Sequence, residues 1–277
     1  MVSEVVVARP AATVLLVRDH PDPAGGRPPL QVFLQRRVAG MAFAGGMTVF
    51  PGGGVDAADV ADPDTWSGPD PRWWAARLQH PPELAGALVQ AAVRETFEEC
   101  GVLLAGPAPL DPTPLDPTGL PAARADLLAR RRTLGQLLVA RGLLLRTDLL
   151  RPWARWITPE AQPRRYDTAF FVALLPGGQQ ADAHTTEAVE ATWWYPAEAL
   201  EQRERGEIQL MAPTIHTLRE LAEHRDSAAV LAAAEHREIR PIMPRVVQRD
   251  GEVRVVLPDD PDFDVSADHV TTPGGRP

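Results

Sequence analysis

The segment Arg94-Glu95-Thr96-Phe97-Glu98-Glu99-Cys100-Gly101-Val102 places three carboxylates at i, i+3 and i+4. On a helix turning about 100° per residue, Glu95, Glu98 and Glu99 share one face, and Val89, Val93, Phe97 and Cys100 share the opposite one. Like charges so spaced repel by roughly a few tenths of a kcal/mol per pair. They also stand near the helix C-terminus, where the macrodipole disfavours anions. Solvent or Arg94 could offset this; a hard divalent cation does so better, because carboxylate oxygens suit Mg²⁺ or Mn²⁺. The plainer alternative is an ordinary solvated face. Upstream, Phe50-Pro51-Gly52-Gly53-Gly54 is a turn whose bare backbone can approach a metal or a phosphate closely, or is simply a tight turn.

The elements that must position these groups follow from the hydrophobic pattern. Ala11–Arg18 and Leu30–Gln35 read as strands of a hairpin, joined by a Pro/Gly/Asp-rich turn. Residues 56–82 read as a long loop with one short helix. Glu83–Cys100 is the strongest helix, with Gly101 to stop it, and Val102–Leu104 begins a strand. A Pro-rich connection leads to the Leu- and Arg-rich segment Ala122–Leu150, helical in pattern. Trp153–Thr158, Thr168–Leu175 and Ala191–Tyr195 read as strands. A helix starts at Pro196, a second helical stretch covers Pro213–Glu238, and Glu252–Leu257 is a late hairpin strand after Asp250-Gly251. With no internal repeat and no clean linker, residues 1–277 read as one α/β domain, with 265–277 as a frayed tail.

Composition narrows the chemistry. The 277 residues carry a formal net charge of −9, and all 28 basic residues are arginine. Without lysine there is no P-loop and no Schiff-base catalysis; without asparagine there is no N-glycosylation. The single Cys100 forms no internal disulfide and sits on the apolar stripe, as an inert core thiol does. No apolar run nears the roughly 18 residues that span a bilayer. Met1–Pro10 lacks the basic start of a signal peptide, and the acidic balance argues against nucleic-acid binding. The expectation is a soluble cytoplasmic protein without nucleic-acid or membrane partners, its assembly open between monomer and homodimer.

The two chemical segments together resemble the Nudix box, Gly-x5-Glu-x7-Arg-Glu-U-x-Glu-Glu-x-Gly-U, where U is bulky and aliphatic. Gly53 is followed five residues later by Asp59 in place of Glu. Arg94, Glu95, Glu98, Glu99, Gly101 and Val102 match, and Thr96 replaces the aliphatic residue. The seven-residue spacer has become the 34 residues Val60 to Val93. A box split in this way is similar to that of the Nudix branch that includes peroxisomal coenzyme A diphosphatases. FPGGGVDAAD (50–59), AAVRETFEECGVLL (91–104) and WITPEAQPRRYDTAFFVA (156–173) resemble the same branch. The resemblance implies a Nudix-type α/β/α sandwich with a mixed sheet, an insertion at 60–82 inside the box, and an added connection and helical insertion over 107–150.

It further implies hydrolysis of a nucleoside diphosphate linked to another group. Glu95, Glu98 and Glu99, with the Gly53 carbonyl, would hold Mg²⁺ or Mn²⁺, which would polarise the diphosphate and activate water. Arg94 would hold the loop or a glutamate in place. Glu95, Glu98 and Arg94 are thereby the catalytic set; the base is a box glutamate or an outside acid such as Glu187 or Glu190. No role is carried over to Asp59, which is shorter than Glu and lies before the insertion. A coenzyme A motif ahead of the box is matched at Leu34, Arg37 and Gly46 and departs at Phe33, Gln35, Val38 and Ala42. Arg36, Arg37, Arg164 and Arg165 are candidate phosphate binders through the planar guanidinium fork, against plain surface arginines. Tyr166, Trp193 and Trp194 could stack an adenine or serve as packing. His184 reads as a loop residue. The leucines of 122–150 could wall an acyl arm, or pack as a helix pair. Coenzyme A or acyl-coenzyme A is the expected small-molecule substrate; ADP-ribose, NADH or a nucleotide sugar is the alternative, and a non-catalytic binding module the third reading.

Overall fold

The computed structural model describes residues 5–40, 44–108, 113–182, 188–249 and 252–257. The apolar run of the first segment forms β1 (Arg9–Asp19), paired antiparallel with β2 (Leu30–Arg37). Two short strands follow, β3 (Thr48–Val49) and β4 (Gly52–Gly54). The box insertion contains β5 (Trp66–Ser67) and α1 (Pro71–Leu78), and leads into α2 (Pro82–Cys100). Then come β6 (Ala105–Gly106), α3 (Leu120–Leu128), α4 (Leu134–Arg141) and β7 (Leu144–Arg146). The hairpin of β8 (Leu150–Ile157) and β9 (Tyr166–Leu174) precedes β10 (Ala188–Trp194). Helices α5 (Pro196–Glu204), α6 (Ala212–Ala222) and α7 (Ser227–His236) lead to β11 (Pro241–Ile242), β12 (Arg245–Arg249) and β13 (Glu252–Val256).

The main sheet is mixed, in the order β10-β2-β1-β9-β8-β11, with β3 on β2 and β4 on β1. β1 runs parallel to β9, and β4 lies antiparallel to β1 with Gly53 opposite Ala12. β1 is apolar on both sides because both are covered. Val14 and Leu16 pack with α1, α2 and the α3–α4 segment, while Leu15 and Val17 pack with α5, α6 and α7. The fold is therefore the expected α/β/α sandwich. Among the described residues, no helix is long and apolar enough to cross a membrane.

Several expected elements differ. The helical stretch 122–150 ends at Arg141; residues 144–146 become β7, held between β5 and β6, and 147–149 form a 3₁₀ turn. A leucine run this short has no period that separates strand from helix. The stretch 213–238 breaks into two helices because the Asp226 carboxylate caps α7, accepting from the Ala229 N–H at 2.8 Å. Residues 102–104 are buried ahead of the strand: Leu103 bonds the Gln179 side chain through both its N–H and its carbonyl, the Leu104 carbonyl accepts from the Arg146 N–H at 3.0 Å, and the β6 ladder starts at Ala105. The insertion is more than a surface loop. Asp70 caps α1 through the Trp73 N–H at 2.8 Å, and Trp74 and Leu78 are fully buried in the core, with Trp74 edge-on to Phe171 at 5.6 Å. The expected tail at 265–277 lies outside the described residues.

Candidate active site

The site is built where β4 meets the C-terminal half of α2. Pro82 and Glu83 open that helix, and Gly101 ends it, its N–H returning to the Phe97 carbonyl. Thr96 is tolerated inside because its hydroxyl donates to the Ala92 carbonyl at 2.7 Å. The turn requires Gly52, and at Gly53 the bare backbone leaves room for the Glu95 side chain. A Cβ on Gly52, where φ is +155°, would fall into the Ala12 carbonyl and Thr13, and one on Gly53 would fall into the Glu95 carboxylate. The insertion thus leaves the two halves of the box in contact.

Arg94 organises this junction. Its Nε donates to Asp59 Oδ1 at 2.8 Å, and its Nη2 donates to Asp59 Oδ2 and to the Gly54 carbonyl, each at 2.9 Å. Its Nη1 donates to Glu95 at 2.8 Å and to Glu98 at 3.0 Å. All five guanidinium N–H groups are thereby engaged. Burial opposes the arginine's charge, but Asp59, Glu95 and Glu98 outweigh it and hold its pKa above the ordinary value. Arg94 is consequently a positioning residue rather than a group that reaches substrate. Asp59, to which no role was expected, is 4% exposed and is its main anchor. The side chain also closes its own turn, accepting from the Asp56 N–H at 2.7 Å.

Glu99 leaves the shared face and turns inward. It accepts from the Gly52 N–H at 2.7 Å and from Gln35 Nε2 at 2.6 Å. Burial, then the neighbouring Glu95 charge, push its carboxyl up to about 8 against these hydrogen bonds and Arg37. Burial also raises Glu98, only partly countered by Arg94. Arg124 of α3 braces the helix end, donating to the Glu98 carbonyl at 2.9 Å and to Asp182 at 2.6 Å, as a cation near a helix C-terminus should. The roles of Gln35 and Arg124 were not anticipated; the polar Gln35 at the end of the apolar strand Leu30–Gln35 was the one visible sign.

Among the described residues, no three His, Cys, Asp or Glu side chains converge as a ready metal-binding set. Arg94 stands between Asp59, Glu95 and Glu98, and Glu99 faces Gly52. The donor chemistry nevertheless fits a hard divalent cation: three carboxylates crowd one fully engaged arginine with Glu99 beside them on α2, and burial raises the pKa of Glu98 and Glu99.

The candidate substrate residues divide by sheet face. Alternation along β2 puts Arg37 with Gln35 on the α2 side, where it lowers the Glu99 pKa. Arg36 points to the other side and pairs with the exposed Glu190 at 3.2 Å. On β9, Tyr166 falls on the face of Phe170 and Val172, away from α2. The Arg165 guanidinium is buried and donates to the Thr158 and Val6 carbonyls at 3.0 and 2.7 Å; it ties the β8–β9 hairpin to the N-terminal segment. Arg36, Arg165 and Tyr166 are therefore not brought to the carboxylates, and Arg164 is exposed on the β8–β9 turn. Trp193 packs between Phe33 and the Arg18 guanidinium, and Trp194 packs against the core on the α5–α7 side. Burial pushes the Cys100 thiol well up, as an inert core cysteine requires. His184 and Glu187 lie outside the described residues.

An α/β/α sandwich with a glycine turn docked on an Arg-Glu-x-x-Glu-Glu helix defines the Nudix class of hydrolases. A family model described as the NUDT19 Nudix domain matches residues 76–221. The acyl-coenzyme A diphosphatase NUDT19 of Gallus gallus is 30% identical over 256 residues, covering 76% of this chain and 67% of the relative. That of Homo sapiens is 30% identical over 256 residues, covering 77% and 68%. The chain thus spans about two thirds of the length of these relatives. The crystal structure of a Nudix hydrolase from Alicyclobacillus acidocaldarius superposes with a TM-score of 0.65 at 30% identity, over 85% of this chain and 99% of that one. The chain belongs to the Nudix hydrolases, in the family of the NUDT19 Nudix domain.

Proposed function

We propose that this chain is a metal-dependent diphosphatase of coenzyme A and its acyl thioesters, releasing adenosine 3′,5′-bisphosphate and 4′-phosphopantetheine or its acyl form. The observation that carries the hydrolytic reading is the surplus of carboxylate around Arg94 beside the bare Gly53 backbone. The substrate class is supported by the relatives named as acyl-coenzyme A diphosphatases at 30% identity. Glu95, Glu98 and Glu99, with the Gly53 backbone, would hold Mg²⁺ or Mn²⁺; when bound, such a cation neutralises the diphosphate and lowers the pKa of the attacking water. Arg94 and Asp59 keep the two halves of the box together, Gln35 and the Gly52 N–H hold Glu99, and Arg124 fixes the helix end. Glu98, held by a single bond from Arg94 Nη1 at 3.0 Å and with a pKa raised by burial, is the carboxylate best suited to take a proton from water.

The test is incubation with coenzyme A, an acyl-coenzyme A, ADP-ribose and NADH, with Mg²⁺ or Mn²⁺, and identification of products by mass. Adenosine 3′,5′-bisphosphate from the coenzyme A species is expected. Cleavage of ADP-ribose or NADH with none of any coenzyme A species would move the substrate to that alternative.

A further inference from the structure

A trough runs along the side of the molecule between the box insertion and α4. Val60, Ala61, Asp62 and Pro63 form one wall, and Thr133, Gln136, Val139 and Ala140 at the start and along α4 form the other, around an open, mostly apolar volume of about 660 Å³. That size falls within the roughly 300–1,000 Å³ of small-molecule sites. From Thr133 to Ala140, at about 1.5 Å per residue, the helical wall is some 10 Å long. Val60 and Val139 are 66% and 65% exposed, and they face each other across the trough rather than standing singly on the surface. Of the two readings of the leucines, an acyl wall or helix packing, the structure gives packing: Leu127, Leu134, Leu137 and Leu138 are buried in the core. The apolar surface left open is the other side of the same helix.

The trough lies beside the site. Its first wall begins next to Asp59, the anchor of Arg94, and the Val60 carbonyl accepts from Gln90 of α2 at 3.1 Å, one helical turn before Arg94. Arg130, three residues before the second wall, pairs with Asp56 at 3.4 Å, and its charge reaches Glu98. Carboxylates, a guanidinium and an apolar channel therefore follow one another, which suits a ligand whose phosphate precedes an apolar arm. We propose that this trough takes the acyl end of the substrate's pantetheine arm, an assignment that rests on the coenzyme A reading above.

The test compares kcat/KM for decanoyl-coenzyme A and for coenzyme A, with Mg²⁺ or Mn²⁺ supplied, in the wild type and in Val139→Asp, Val60→Asp and Val139→Leu. Because both valines are exposed, melting temperatures should change little. The wild-type ratio is expected to favour the decanoyl substrate by about tenfold or more, since burying a ten-carbon chain even in part outweighs a decade of affinity. Each Asp variant should bring the ratio close to one, and Val139→Leu should keep it. A wild-type ratio near one, or a preference unchanged in both Asp variants, overturns the subsite and leaves the coenzyme A reading standing. No cleavage of either coenzyme A species overturns that reading and the subsite with it.

Discussion

Arg94 and Glu99 carry the strongest residue-level consequences. Because Arg94 uses its planar fork on Asp59, Glu95, Glu98 and the Gly54 carbonyl, Arg94→Lys keeps the charge but not the geometry. Its kcat is expected to fall about 10–100-fold with a smaller change in KM, read from steady-state kinetics; a variant with wild-type kcat would show that the fork is dispensable. Glu99 makes a pH prediction. Its carboxyl stands at about 8 in the folded chain, against 4.5 as the ordinary value. Between those values the unfolded chain holds fewer protons, so this group's contribution is complete below about pH 4.5 and is lost as pH rises through 8. In chelator, Glu99→Gln should therefore match the wild type near pH 4 and melt higher than it at pH 9, while being inactive with metal. An equal difference in melting temperature at both pH values would remove Glu99 as the titrating group. The three glutamates, Arg94 and Gly53 were legible because one helix and one turn carry them. Gln35 was not, because 64 residues separate it from Glu99. Arg36 and Tyr166 were misplaced because alternation along a strand is visible in sequence, but which side faces α2 is decided by packing.

At the scale of elements, the insertion is where sequence reading fell shortest. Its Pro, Asp and Trp content reads as a long loop with one short helix, and α1 is that helix, but eight residues are too few to show which of its side chains are buried. Yet α1 buries Trp74 and Leu78 completely, and its end is tied to the far side of the sheet. Arg77 donates to the Glu235 and Arg237 carbonyls, each at 3.0 Å, and Gln79 donates to the Ile239 carbonyl at 2.9 Å. The insertion thus completes the core over β9 while leaving Gly53 against α2. Trp74→Ala should cost about 3–5 kcal/mol, measured by urea unfolding, whereas Trp73→Ala, at 39% exposure, should cost far less. Equal losses at the two positions would mean that burial of Trp74 does not anchor the insertion to the core. The long apolar strands and α2 were legible because their patterns run for eight residues or more; the two-residue strands around β7 exist only through their partners.

For the whole molecule, the proposed cation site would couple binding to folding. The folded chain holds Asp59, Glu95 and Glu98 on Arg94 with Glu99 beside them on α2, and unfolding lets them separate, so a divalent cation held there would bind only the folded state. Such a ligand stabilises by about 2.7 kcal/mol at a hundredfold excess over its Kd. A shift of about 2–4 °C per kcal/mol, for domains of about 150–250 residues, turns this into a rise in Tm of roughly 5–10 °C on replacing chelator with Mg²⁺ or Mn²⁺. The proton balance gives a second readout. With Glu99 at about 8 in the cation-free state, much of it is protonated at pH 7, and an arriving cation must expel that proton. Titration calorimetry in two buffers of different ionisation enthalpy should show proton release near pH 7 that fades above pH 9. Glu98→Gln should lose most of the thermal shift but retain the wild-type Tm in chelator, because removing one of several crowded like charges relieves repulsion. A wild-type Tm that Mg²⁺ and Mn²⁺ both leave unchanged, with no proton released, would mean that Arg94 alone balances the cluster and that the box is not a cation site.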